Sequence, residues 1–141
     1  MIFDKQNLLS DDQVVTVSAG STNVLDAGAT GTPVGSAVAL GRDLGKGTKI
    51  PLRIQVTADF ATLTSLSVSV HVGPNADRTG DKTVTNTENI PVADLVAGYV
   101  FNIDTIPLGA DDQYFWLYYN VTGSAATAGA ITAGVTMGND E

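Results

Sequence analysis

The stretch IPLRIQVTA, residues 50–58, decides the fold class of this chain. Its aliphatic side chains alternate with polar ones, so every second residue points toward the same face of an extended strand. The stretch LSVSVHV, residues 66–72, repeats this pattern. Strands with one apolar and one polar face are typical of antiparallel sheets, in which one face packs on a core and the other meets water.

Further segments of the same kind follow along the chain, separated by Gly, Pro, Asn and Asp residues that are typical of turns. Strands are predicted at residues 99–104 (YVFNID), 113–121 (QYFWLYYNV) and 131–137 (ITAGVTM), with weaker ones at 13–18, 21–28, around 38–40 and at 82–90. The segment 59–65 predicts a short turn of helix or a corner, with Phe60 and Leu63 filling an end of the core. The segment PVADLVAG, residues 91–98, predicts one helical turn, with Pro at its start and Gly at its end.

About eight short strands with alternating faces predict an all-β chain folded as an antiparallel jelly-roll sandwich. The alternative is an immunoglobulin-like sandwich, which usually carries a Trp on an early strand, whereas the one Trp here, Trp116, comes late. A length of 141 residues fits one domain. The first dozen residues are rich in apolar side chains but do not alternate. We therefore expect an N-terminal arm at 1–12, packed on the sandwich or reaching a neighbouring subunit, and a single jelly-roll domain at 13–141.

The composition argues against several classes of function. The chain has no Cys and one His, His71, so thiolate and multi-imidazole metal sites are not expected. The formal net charge of −8 is opposite to what a nucleic-acid or anionic-membrane binder needs. No apolar run is long enough to span a membrane, and the N-terminus lacks the apolar region of a signal peptide. We expect synthesis in a cytoplasm and no nucleic-acid or membrane partner.

Four motifs match the sequence pattern of a known kind of site only in part. LGKGTK, residues 44–49, lacks the spacing of a phosphate-binding loop, and GPNADRTGD, residues 73–81, departs from the calcium-loop pattern. His71 lies among serines on a polar face, and no G-x-S-x-G nucleophile motif is present. Asp111 and Asp112 are adjacent, so on an extended chain they point to opposite sides. We predict no catalytic, cofactor-binding or metal-binding residues and no enzymatic activity.

Two segments have the features of a protein-binding surface. Four of the seven basic residues lie in RDLGKGTKIPLR, residues 42–53, within an acidic chain. Such a patch favours docking on an acidic protein surface, although solvated loop ends would look the same. The apolar side chains of the first dozen residues need a partner or the body of the protein to cover them. The predicted interface residues are Ile2, Phe3, Lys5, Leu8, Leu9, Arg42, Lys46 and Lys49.

Several stretches, taken in order, resemble the jelly-roll cement, or decoration, proteins of tailed bacteriophage capsids. They are IFDKQNLLSDDQVVT near the start, STNVLD at 21–26, GRDLGKG at 41–47, DFATLTSL at 59–66, LVAGYVFNID at 95–104 and AGAITAGV at 128–135. The similarity runs nearly end to end. No single motif is diagnostic, and the specificity comes from the collinear set.

The resemblance implies a jelly-roll fold and docking on the outer surface of an assembled phage head, in a protein made in the host cytoplasm. The implied partners are the major capsid protein and further copies of the chain, with a dimer favoured over a trimer. In this reading, the protein bridges neighbouring capsomers and stabilises the shell against the pressure of packaged DNA. Deleting residues 1–10, or reversing Arg42 and Lys46 to Glu, is expected to leave a folded protein that no longer coats heads.

Two other functions remain open at this stage. Jelly rolls often bind sugars, and the aromatic side chains of residues 113–121 could stack on them, which would make the chain a carbohydrate-binding or adsorption domain. Against this, Trp116 lies in the most apolar strand, which favours a place in the core. The chain could also be another structural protein of the phage head or tail, which copy number per particle would reveal.

Overall fold

The computed structural model describes residues 2–137. Met1 of the predicted arm and residues 138–141 of the predicted domain lie outside the described residues. The strands are β1 (Phe3–Val14), β2 (Ala19–Gly20), β3 (Leu25–Asp26), β4 (Leu52–Ala61), β5 (Ser65–Gly73), β6 (Lys82–Asn86), β7 (Ile90–Pro91), β8 (Tyr114–Thr122) and β9 (Ala128–Thr136). A single 3₁₀ turn, Val92–Asp94, lies where the helical turn was predicted. In this part of the chain, no helix has the length and apolar character needed to cross a membrane.

The first sheet has the order β1-β9-β4, with antiparallel pairing throughout. The segment 95–105 runs along the other edge of β4, where the Val56 N–H donates to the Tyr99 carbonyl and the Phe101 N–H donates to the Ile54 carbonyl, both at 2.9 Å. A further bridge joins Gln55 and Val100. This segment contains the strand predicted at 99–104, and it completes a four-member layer although its pairing is irregular.

The second sheet has the order β2-β8-β5-β6. The two-residue strand β3 pairs with β8 on the same side as β2, and β7 pairs with β5 at the end that β6 leaves open. Each outer position is therefore one interrupted strand, and this layer also has four members. Two four-member antiparallel layers, between which the chain crosses repeatedly, form a jelly roll, which confirms the predicted fold.

The core lies between the two sheets and is built from the alternating residues that the sequence predicted. Leu52, Ile54 and Val56 of β4 are fully buried, as are the inward side chains of β5. Phe60 and Leu63 are buried at the β4–β5 corner, which confirms that prediction as well. Tyr119 of β8 enters the core from the second sheet, and its hydroxyl lies 2.7 Å from the Ser10 hydroxyl of β1.

The predicted N-terminal arm is largely strand β1, which runs across the proposed boundary at residue 12. It pairs with β9 from Phe3, opposite Thr136, to Val14, opposite Ala130. Backbone pairing and burial of its apolar side chains therefore hold this segment on the sandwich, which is one of the two arrangements considered for it. The weak strand predicted around 38–40 is also corrected, because those residues form part of a loop.

The sandwich has two ends of different character. At the first, which we call the closed end, the connections are residues 15–18, 62–64 and 123–127. We call the other end the loop end. The strands that begin there are β1, β4, β6 and β8, and the strands that end there are β3, β5 and β9. The long connections 27–51, 74–81 and 105–113 all lie there.

Candidate functional site

The two predicted interface segments meet at the loop end. The Met137 N–H donates to the Ile2 carbonyl at 2.9 Å, and the Thr136 N–H donates to the Pro51 carbonyl at 3.1 Å. The end of β9 therefore has the start of β1 on one side and the start of β4 on the other, with Lys49 two residues before Pro51. Strand pairing thus brings together two segments that are nearly 50 residues apart in sequence.

The predicted interface residues of β1 differ in their access to solvent. Ile2 is 63% exposed, Lys5 is exposed, and Phe3 and Leu8 are half-buried. Leu9 is 1% exposed and belongs to the core, so it is not available to a partner. The structure adds Met137, which is 79% exposed beside Ile2 and which the sequence analysis had placed at the end of a strand.

The basic turn at residues 42–49 divides into a structural part and an accessible part. Arg42 is half-buried, and its guanidinium donates to the carbonyls of Ala27 and Gly28, so this side chain holds the preceding loop. Lys46 and Lys49 are exposed, and neither makes an ion pair with another residue in the range 2–137. The charges that a partner can reach are therefore those of the lysines.

Asp43 fixes the conformation of the turn. Its carboxylate accepts from the N–H groups of Gly45 and Gly109, both at 2.9 Å. A Cβ on Gly45 would lie 2.0 Å from the Pro107 carbonyl oxygen, so this close approach requires glycine. Lys46 is consequently held at the rim of an open cleft of about 890 Å³ that Leu108 also lines.

Carboxylates at the loop end are stabilised in their charged form. The Gln113 amide and then the Gly28 N–H donate to Asp26, and with the nearby Arg42 they hold the pKa of Asp26 below its usual value. The Lys82 ammonium lies 2.5 Å from Asp111, and this hydrogen bond lowers the pKa of Asp111 and raises that of Lys82. Asp111 is thus paired with Lys82 at the surface of the loop end.

Trp116 is buried, but it lies on the outer face of the second sheet rather than in the core cluster. His71 of the neighbouring strand stacks on it with ring centroids 6.2 Å apart, and its Nδ1 is 2.6 Å from the Asp81 carboxylate. The Arg78 guanidinium lies 5.8 Å from the indole centroid and donates to the Ser21 carbonyl. The prediction that Trp116 lies in the core is therefore wrong, although the indole is buried, because His71 and the loop 74–81 cover it on the outer face. This cover blocks stacking of a sugar on the indole.

The tip of that loop satisfies its own polar groups. The Asp77 carboxylate accepts from the N–H and the hydroxyl of Thr79, which lowers the pKa of Asp77, and the Asn75 amide donates to Thr79. The carboxylate thus has partners within its own turn. Across residues 2–137, no three His, Asp or Glu side chains come close enough together to hold a metal ion.

Sequence reasoning missed the loop that precedes the basic turn. Within residues 28–41 the sequence predicts only a weak strand around 38–40, whereas the structure shows a projecting loop whose Val34, Val38 and Leu40 side chains are exposed. The available signal was an uncharged stretch rich in Gly, Ala and Thr that contained aliphatic residues without alternation. Together with Ile2, Met137 and Leu108, these residues place most of the exposed large apolar side chains of the described chain at the loop end.

Comparison with known proteins identifies a family to which the chain is similar. The model of a protein family described as Bbp16 matches residues 9–135, from within β1 to within β9. The matched region includes Arg42, Lys46 and Lys49 but not Ile2, Phe3, Lys5 or Leu8. No curated protein shows significant similarity to the chain.

Proposed function

The chain belongs to the Bbp16 family, and from this premise we propose that it is a capsid cement protein. In this proposal, it binds the outer surface of a phage head and bridges neighbouring capsomers, so that the shell resists the pressure of its DNA. Its principal partner is the major capsid protein, and it also associates with itself, as a dimer rather than a trimer. The proposal rests on the collinear resemblance to phage cement proteins together with the geometry of the loop end.

The observation that carries the proposal is the gathering of accessible apolar and basic side chains at one end of a rigid body. Ile2 and Met137 are exposed side by side, and Lys46 and Lys49 project nearby from a turn fixed by Asp43. A patch that combines exposed apolar groups with a charge opposite to that of the body is typical of a protein-docking surface. An ordered β-sandwich also loses little conformational freedom when it docks, which favours binding.

The proposed mechanism is mechanical and additive. Two capsomers bridged by one cement oligomer can separate only if its contacts with at least one of them also break. When two sites of a rigid oligomer bind neighbouring subunits, the second contact forms at a high effective concentration, which raises the overall affinity by roughly 10²- to 10⁴-fold. Modest contacts at each loop end are therefore sufficient to hold a shell together.

The direct test is reconstitution of heads from which the protein has been stripped. Purified protein is added to expanded, stripped heads, and bound protein is measured by co-sedimentation, with occupancy expected in hundreds of copies per head. Recoated heads should retain their DNA at higher temperature than stripped ones. Equal heat resistance with and without the protein, or binding of only about a dozen copies, would contradict a cement function.

The residues to vary follow from the structure rather than from the sequence. Deleting residues 1–10 would remove most of β1 and the buried Leu9, and changing Arg42 would free the loop that it holds, so both changes would disturb the fold. Lys46→Glu changes only an exposed side chain, and we expect it to weaken head binding, increasingly at low salt. The matched control is the double variant Ser124→Glu and Ala125→Glu, which alters net charge equally at the closed end and should bind as the unmodified protein does.

A further inference from the structure

We propose that residues 28–41, which we call the neutral loop, insert into an apolar pocket of the shell protein that has carboxylates at its rim. This inference rests on the proposed function and names a contact that the predicted interface residues do not include. The neutral loop projects from the loop end between β3 and the basic turn. It is bordered by an open depression of about 400 Å³, which it lines together with Arg42 and Gln113.

The composition of the neutral loop is unusual for an exposed segment of this protein. None of its residues is charged, although the chain as a whole carries 15 acidic and 7 basic side chains. Val34 is fully exposed, Val38 is 70% exposed and Leu40 is 57% exposed. Isolated surface aliphatic residues are common, but three on one uncharged projection favour contact with another protein.

Internal hydrogen bonds give the neutral loop a defined conformation. The Ser36 N–H donates to the Pro33 carbonyl at 3.0 Å, which closes a turn, and Gly35 adopts a φ of +83° within it. The Ser36 hydroxyl then donates to the Val38 carbonyl, and the Leu40 N–H donates to the Gly31 carbonyl at 2.9 Å. A preformed loop loses less conformational entropy on binding than a flexible one.

The base of the neutral loop is attached firmly to the sandwich. The Arg42 guanidinium binds the Ala27 and Gly28 carbonyls, and the Ala27 N–H donates to the Gln113 carbonyl at 2.8 Å. The Gly28 N–H also donates to the Asp26 carboxylate, next to the start of β8. The exposed tip is thus presented in a direction set by the second sheet.

The chemistry of the partner follows from the surroundings of the loop. Residues 42–49 carry three basic side chains and one acidic side chain, Asp43, whose carboxylate is occupied by backbone N–H groups. A pocket that receives Val34 and Val38 and faces Lys46 is complementary when its floor is apolar and its rim acidic. Because the neutral loop lies at the same end as the proposed docking surface, we assign this pocket to the shell protein rather than to a second copy of the chain.

The test compares two triple variants in binding to stripped heads. The first replaces the exposed aliphatic residues of the neutral loop, as Val34→Ser, Val38→Ser and Leu40→Ser. The matched control replaces exposed valines near the closed end, as Val14→Ser, Val17→Ser and Val96→Ser. Each buried aliphatic side chain that is lost weakens binding by roughly tenfold or more, so the first variant should bind about 1,000-fold more weakly, and the control should bind within about threefold of the unmodified protein.

The outcomes separate this inference from the proposed function. If the unmodified protein does not bind heads, the cement function fails and the assignment fails with it. If it binds and the neutral-loop variant binds equally well, the inference alone is overturned. Loss of self-association in light scattering, with head binding retained, would assign the loop to a contact between copies and would also overturn the inference. A midpoint of urea unfolding equal to that of the unmodified protein shows that a weakened variant is still folded.

Discussion

At the closed end the connections between strands are short and bonded to one another, whereas at the loop end they are long, and the longest includes the neutral loop, whose tip is bonded mainly to itself. The Ala126 N–H donates to the Thr16 carbonyl and the Thr64 N–H donates to the Thr122 carbonyl, which ties three closed-end connections to their neighbours. By contrast, the neutral loop closes on itself at Pro33–Ser36 and is held through Arg42 at its base.

The difference indicates how one small sandwich could separate its stability from the proposed binding of a partner. Phe60 and Leu63 fill the closed end with buried apolar side chains, while the loop end leaves Leu108, Val34 and Met137 in solvent. A scaffold whose core is packed between two sheets can present variable loops at one end without losing its fold. We therefore expect changes at the closed end to affect stability and changes at the loop end to affect binding.

The largest expected effect is the truncation of Phe60. Phe60→Ala removes a buried ring at the closed end and should lower the free energy of unfolding by about 3–5 kcal/mol. Leu108→Ala removes an aliphatic side chain from the loop end and should change it by less than about 0.5 kcal/mol. Urea unfolding followed by circular dichroism measures both. Similar losses for the two variants would remove the energetic distinction between the ends.

A matched pair of glycines sharpens the comparison. Gly123 at the closed end and Gly47 at the loop end have φ values of +89° and +83°, so alanine is similarly strained at both. A Cβ on Gly123 would lie 2.3 Å from the Thr64 hydroxyl oxygen, whereas nothing lies within 4 Å of one on Gly47. Gly47→Ala should cost about 1–2 kcal/mol, and Gly123→Ala should cost roughly 1–3 kcal/mol more from overpacking. Equal midpoints of urea unfolding for the two variants would show that the residues around Gly123 shift to accommodate the added methyl group without a further loss of stability.

The buried Tyr119 in the core between the two ends allows a test of how stability depends on alkaline pH. Burial raises the pKa of Tyr119 well above its ordinary value of 10.0, whereas in the unfolded chain the phenol ionises near that value. Stability is therefore present below pH 10 and falls as the pH rises, by about 1.4 kcal/mol at one unit above the unfolded pKa. Tyr119→Phe should lose about 1 kcal/mol at neutral pH, because the buried hydrogen bond between the Tyr119 and Ser10 hydroxyls is lost. Between pH 9 and 11 the variant should lose less stability than the unmodified protein does. An identical alkaline loss in both proteins would contradict this role.

The smallest expected effect is the acid response of the loop end. The pKa of Asp26 is lowered in the folded protein, so its contribution to stability is present above its unfolded pKa and is lost as the pH falls through the folded one. The Asp26→Asn variant should therefore lose less stability than the unmodified protein when the pH is lowered from 5 to 2. Asp11→Asn, an equal change of charge at an exposed position of β1, is the control. If the control reduced the acid response as much, net charge rather than the Asp26 contacts would explain it.

Residues whose side chains alternate without interruption were predictable from the sequence. In β4 and β5 the pattern of burial follows the alternation of Leu52, Ile54 and Val56 and of the segment 66–72. In β1 the pairing with β9 shifts register three times between Phe3 and Gln13, so inward-facing residues do not recur at every second position. These irregularities explain why β1 was predicted to be an arm and why Leu9 was assigned to an interface.

The candidate site was only partly predictable because its contacts involve distant backbone groups. The sequence located the basic turn, but it could not show that Arg42 binds the Ala27 and Gly28 carbonyls whereas Lys46 remains exposed. It also could not show that His71 and Arg78 cover Trp116, since the first contact depends on the register of β5 against β8 and the second on the path of a loop. The composition identified the basic patch. Only the fold showed which of its charged side chains hold the structure and which are accessible to a partner.

The backbone hydrogen bond between Met137 and Ile2 has a practical consequence for engineering. A passenger peptide attached beyond either residue would emerge beside the surface proposed to bind the shell and would compete with docking. Because the two residues are neighbours, a short linker could join them, and new termini could be opened in the turn 123–127 at the opposite pole. Such a circular permutant would carry its passenger outward, which would suit the display of foreign peptides on assembled particles.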